Sequence, residues 1–252
     1  MDSAHQSIAT TALVMKFITY FWMMLITVTT VAAAKPVSYS VTFSAYALQA
    51  LKTTNLYYAD AHNSLTKLEF RKKSRSNHYQ ATIQSDDGTL RIYRQSGTSA
   101  EKKPPTLVER IRIEPSKVPL LLLITVDNVR TQDAINVYVM DDSQHNFPLG
   151  SIRLVNITGI DVYGKISTAL ITLQHGGISQ AYNQASPQPI DVSIAAKGNS
   201  RNHLLYKNHI QITSGSRGLL ILTPPVREGS IRIGGHLLLD SSNEIEESSN
   251  QL

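Results

Sequence analysis

Two carboxylates and an imidazole fall within five residues at Asp141, Asp142 and His145, a set that could hold a divalent cation through oxygen and nitrogen donors. A solvated Asx-type turn accounts for them more simply, because aspartates in loops bond their own backbone. Other histidines, among them His62, His78, His175, His203 and His209, are scattered. His203 and His209 would share a face only on an unbroken strand, and Lys207-Asn208 argues against one. The spaced signatures of enzymes are missing: there is no G-x-S-x-G elbow, H-E-x-x-H, Walker loop or G-x-G-x-x-G after a strand. Cysteine is absent, which removes thiol catalysis, thiolate metal sites and disulfide staples. The expectation is a non-enzyme with no catalytic residue, no metal and no cofactor.

Charge offers a different chemistry. The formal balance is +5, and the densest cationic cluster is Arg71, Lys72, Lys73 and Arg75. Such a cluster could meet an anionic polymer or an acidic envelope protein. Nucleic acid is not expected, because no aromatic platforms interleave the cations. The same residues would also serve as a solvated loop or as an edge strand guarded against pairing.

The elements that would carry these groups are strands. Val37, Tyr39, Val41 and Phe43 alternate with Ser38, Ser40, Thr42 and Ser44, the period of a half-buried antiparallel strand. Further strands are expected at 55–59, 66–70, 79–84, 89–94, 107–113 and 120–126. Ser85-Asp-Asp-Gly88 predicts a tight hairpin, and Tyr46 to Thr53 is the one stretch with helix-forming composition. The uniformly apolar runs Leu120 to Ile124 and Leu219 to Leu222 predict central strands buried on both faces. Segments also recur about 100 residues apart, the size of a small domain. Tyr39 to Phe43 falls opposite Ser151 to Val155, Leu56 to Tyr58 opposite Asp161 to Tyr163, and Ile135 to Ser143 opposite Ile231 to Ser241. Ser76-x-x-Tyr79 and Ser179-x-x-Tyr182 share one spacing. The fold class expected is all-β: two tandem immunoglobulin-like β-sandwich modules of about seven strands each, at residues 35–145 and 146–240.

At the ends, Met15-Lys16 introduces the apolar run Phe17 to Val28, followed by Val31-Ala-Ala-Ala34. A charged head, a short apolar stretch and small residues before Lys35 predict a cleaved export signal over residues 1–34, with Met15 as an alternative start. A membrane span would need about 20 apolar residues, so the mature chain is not expected to cross a membrane. Residues 241–252 read as a disordered acidic tail.

The most distinctive string is Phe147-Pro-Leu-Gly-Ser-Ile-Arg-Leu-Val-Asn-Ile-Thr158, with a turn at Leu173 to Gly176. It resembles the F-P-x-G-S-x-R-x-x-N-x-T strand motif of uncharacterised exported bacterial β-sandwich proteins, which more often place aromatic residues where this chain has Ile152 and Leu154. The resemblance implies export and a sandwich, and no activity. From the residues alone, Arg153 and Asn156 are weak binding candidates at the junction, and more simply donors to backbone carbonyls there. The expected role is a non-catalytic exported structural or interaction protein of the cell envelope. A periplasmic two-domain immunoglobulin-like chaperone and a carbohydrate-binding module are the alternatives. Loss of Trp22 with the signal would leave tyrosines as the sugar-stacking side chains.

Overall fold

The computed structural model describes residues 38–49, 55–70, 75–84, 86–95, 104–126, 134–183, 188–198 and 201–241. The expected export signal, the acidic tail from residue 242, and Arg71, Lys72 and Lys73 lie outside these residues. All regular elements among them are strands. The first half carries β1 (Ser38–Ala47), β2 (Leu56–Ala59), β3 (Leu65–Lys67), β4 (Tyr79–Gln84), β5 (Thr89–Arg94), β6 (Thr106–Arg112), β7 (Leu120–Val126) and β8 (Ile135–Asp141). The second carries β9 (Ser151–Asn156), β10 (Val162–Ile166), β11 (Ala169–Leu173), β12 (Tyr182–Asn183), β13 (Ile190–Lys197), β14 (Asn202–Ile210), β15 (Ser216–Thr223) and β16 (Gly234–Ser241).

The chain is all-β and forms two tandem sandwiches built to one plan. In the first, a β4-β1-β7-β8 sheet faces a β3-β2-β5-β6 sheet; in the second, β12-β9-β15-β16 faces β11-β10-β13-β14. Adding eight to each strand number of the first half reproduces the second. Even the one parallel contact recurs, β1 on β7 and β9 on β15. Each half has eight strands among the described residues, where about seven were expected.

Alternation explains why β7 and β15 read as unbroken apolar runs. Leu120, Leu122, Ile124 and Val126 enter the core of the first sandwich with Phe43, Tyr58 and Ile92. Leu220 and Leu222 enter that of the second with Ile152, Val192 and Ile194. The side chains between them, Leu121, Leu123, Leu219 and Ile221, meet in a third core with Tyr46, Met140, Phe147, Val155, Ile157 and Leu238. The two inner sheets therefore pack against each other through their outer faces, and the molecule stacks four sheets. Burying one Leu or Ile side chain is worth about 1.5–3 kcal/mol, so this third core is comparable in kind to a sandwich interior.

The shared Ser-x-x-Tyr spacing is a duplicated hydrogen-bond device. Ser76 Oγ accepts the Ala45 amide at 2.8 Å and donates to Asn77 O at 2.7 Å. Ser179 Oγ accepts the Leu154 amide at 2.9 Å and donates to Gln180 O at 2.7 Å. The tyrosines three residues on, Tyr79 and Tyr182, stand in register with Phe43 and Ile152.

Two local expectations change. The Asp-Gly turn does not close a hairpin: β4 and β5 belong to different sheets, so Gly88, whose amide bonds Gln84 O at 2.9 Å, turns a corner between layers. Of the stretch Tyr46 to Thr53, read as helix-forming, Tyr46 and Ala47 finish β1 instead, because Tyr46 is buried in the third core, and residues 50–53 lie outside the described residues.

Candidate functional site at the junction of the sandwiches

β8 ends at Asp141 and β9 starts at Ser151, and Asp142, the first residue of the link between them, joins a buried cluster of four charged side chains. Pairing of β15 with β16 sets Arg217 opposite Asp240. On the first half, the Asp142 amide bonds Pro119 O at 2.9 Å, extending the β8 ladder by one residue. Asp142 and Asp240 therefore occupy the same position in the two copies, one step past the apolar strand. Arg75 arrives from the segment leading to Ser76. The four side chains form a closed box: Arg75 pairs with Asp142 and Asp240, and Arg217 pairs with Asp142 at 3.0 Å and Asp240 at 3.4 Å. All four are nearly sealed from water, the most exposed being Arg75 at 12%. Two guanidiniums and two carboxylates cancel, as burial requires of charges in a low-dielectric interior.

Burial and pairing compete within the box. Burial lowers the Arg217 pKa from its ordinary value, with only partial opposition from its aspartates. For Arg75 burial is outweighed by Asp142 and Asp240, and its guanidinium is held more firmly charged. Burial pushes the Asp240 carboxyl upward while both arginines pull it back.

Phe147 lies between two cations. The Arg217 guanidinium carbon is 4.7 Å from its ring centroid and that of Arg153 is 5.6 Å away, both within cation–π range. Arg217 also donates to the carbonyls of Asp142 and Phe147, at 3.0 and 2.9 Å. Arg153 donates to Ser179 O at 3.0 Å and Asp141 O at 2.8 Å. Asn156 Nδ2 serves the carbonyls of Ile160, Leu173 and Gln174 at 2.8–3.0 Å, and its Oδ1 accepts from the Thr158 hydroxyl at 2.7 Å. The Gly176 amide returns a bond to Asn156 O at 2.7 Å. The F-P-x-G-S-x-R-x-x-N-x-T string and the Leu173 to Gly176 turn are thus one hydrogen-bonded unit. Gly150 supplies its reversal at φ 78°, where a side chain would be strained.

Among the expected site residues, the structure brings Arg75 and Arg153 to one junction and sets Asn156 further along β9. Arg75 is not solvated: its guanidinium is spent on Asp142 and Asp240. Asp141, Asp142 and His145 do not converge on a cation. Asp141 accepts from the Ser143 amide at 2.8 Å and from Asn146 Nδ2, Asp142 faces the arginines, and His145 is exposed. No group of three His, Cys, Asp or Glu side chains among the described residues is arranged for a metal ion. Sequence reasoning missed Asp142, Arg217 and Asp240 as a set. The available signal was the Asp-Ser pair closing both recurring segments, Asp142-Ser143 and Asp240-Ser241.

No protein-family model matches the sequence, and no curated protein matches it either. No helix among the described residues is long and apolar enough to cross a membrane.

Proposed function

We propose that this chain is a non-catalytic exported protein of the cell envelope, serving as a rigid two-module structural or interaction component. The observation that carries the reading is the junction. Its charged side chains are turned on one another, and its apolar face joins the inner sheets, so the two outer sheets are left facing away from each other. Buried ion pairs of this kind contribute modestly to net stability but penalise every misaligned arrangement, which suits a spacer or display scaffold. The charged head, apolar run and small residues before Lys35 support export.

The test is expression of the full chain in a bacterial host, with fractionation and N-terminal sequencing. The reading expects the protein outside the cytoplasm, starting at Lys35 and retained by envelope material. Recovery in the cytoplasm with residues 15–34 still attached would overturn it.

A further inference from the structure

The outward face of the first sandwich carries a feature that the second lacks. On the β3-β2-β5-β6 sheet, Tyr57 is directly opposite Tyr93, with Lys67 beyond Tyr57 in the same row. In the next row Arg91 is opposite Arg110, and in the one after, Thr89 is opposite Arg112. Alternation assigns these side chains to one face, because their neighbours Tyr58, Leu90, Ile92 and Ile111 are buried in the core. Among the described residues the registers set no carboxylate opposite these cations; Glu109 stands opposite the buried Ile92. Arg91 is held by Asp87 at its end, and no ion pair among the described residues engages Lys67, Arg110 or Arg112.

Like charges directly opposite each other on a sheet are destabilising; Asp87 offsets the charge of Arg91, and an anion would offset that of Arg110. The second sandwich is an internal control. At the corresponding bulge Tyr163 is opposite Ala195, the next row sets Ser193 opposite Lys207, and Asp191 sits opposite His209 with its carboxylate on that imidazole. The aromatic pair and the arginine pair are both particular to the first copy.

We infer that this face binds an acidic polysaccharide. The inference rests on the reading of the chain as an exported interaction protein and names the ligand class. Tyrosine presents an apolar ring with a polar tip, matching a sugar that has C–H and O–H groups on one ring. Arg110 and Arg112 provide forked donors for carboxylate or sulfate, and Lys67 adds a point charge. Tyr57 and Tyr93 are half-buried, which suits a chain lying along the sheet better than bases stacking on projecting rings.

Affinity electrophoresis and calorimetry with polygalacturonate, neutral dextran and oligo(dT) test this. The expected result is binding to polygalacturonate and none to dextran. R110S/R112S and, separately, Y57A/Y93A should each weaken binding about tenfold or more, while R227S/R232S, removing two exposed arginines of the second half, leaves it unchanged. Should Y57A/Y93A fail to fold, R110S/R112S with rescue by R110K/R112K carries the test. Absence of binding, equal loss in R227S/R232S, or equally tight oligo(dT) binding through the same residues would overturn the inference. An exported, envelope-retained protein that ignores polygalacturonate refutes the glycan face alone; a cytoplasmic one refutes the broader reading.

Discussion

Replacing Arg217 by methionine removes one guanidinium from the sealed box while keeping much of the side-chain volume. Asp142 loses a partner at 3.0 Å, Asp240 loses one at 3.4 Å, and the carbonyls of Asp142 and Phe147 lose their donor. Two buried carboxylates then face Arg75 alone. Breaking a buried pair from one side costs about 3–5 kcal/mol, because a charge is left uncompensated. At about 2–4 °C per kcal/mol for a chain of this size, the midpoint should fall by roughly 6–20 °C. The second arm is R217M/D240N, which removes one charge of each sign and leaves Arg75 with Asp142. It should be about 1–2 kcal/mol more stable than R217M alone, because the effects of residues in one network do not add. Equilibrium urea unfolding followed by tyrosine fluorescence and far-UV circular dichroism reads both. An R217M variant within about 0.5 kcal/mol of the parent, or a double variant that costs the sum of its singles, would refute the closed-box reasoning.

Ser76→Ala and Ser179→Ala should each cost about 1–3 kcal/mol in urea unfolding, since each strands a buried strand amide; costs that differ widely would show the two motifs are not energetically equivalent. Burial pushes the Asp141 carboxyl up, but bonds from Ser143 and Asn146, with the Arg153 charge, outweigh it and hold the pKa below the ordinary value. Asp141 should therefore contribute stability that is present above about pH 4 and lost as pH falls through its lowered value. D141N should flatten the acid limb of a stability-versus-pH curve, and an unchanged limb would contradict this. Gly164→Ala should severely destabilise the second sandwich, because an added Cβ would lie 2.0 Å from Ser193 O; a native-like thermal midpoint would show that β10 and β13 are further apart than described.

Much of the architecture was legible because alternation and turn chemistry are local. The bounds of β4 and β5 follow from period-two runs, and the unbroken apolar character of β7 and β15 correctly announced burial on both faces. What covers the second face was not legible. Nothing local in Leu121 or Leu219 says that its partner is the other half of the chain. The Asp-Gly turn misled for the same reason, since a turn fixes a reversal without fixing which sheet the next strand joins. Arg153 and Asn156 could be placed on backbone carbonyls because a turn followed at once by a strand leaves such groups to satisfy. Arg75 could not, because its partners lie 67 residues away in Asp142 and further still in Asp240. The facing tyrosines are equally nonlocal: Tyr57 and Tyr93 become neighbours only through the β2–β5 register.

The central structural claim is that two copies of one sandwich are joined, inner sheet to inner sheet, into a single cooperative body. Native-state hydrogen exchange read by mass spectrometry across a urea series tests it most directly. Amides of β7 and β15 should share the highest protection and converge on one global opening as urea rises. If β15 amides stayed protected under conditions where β7 exchanged freely, or the reverse, the two sandwiches would be independent units and the junction would not join them energetically.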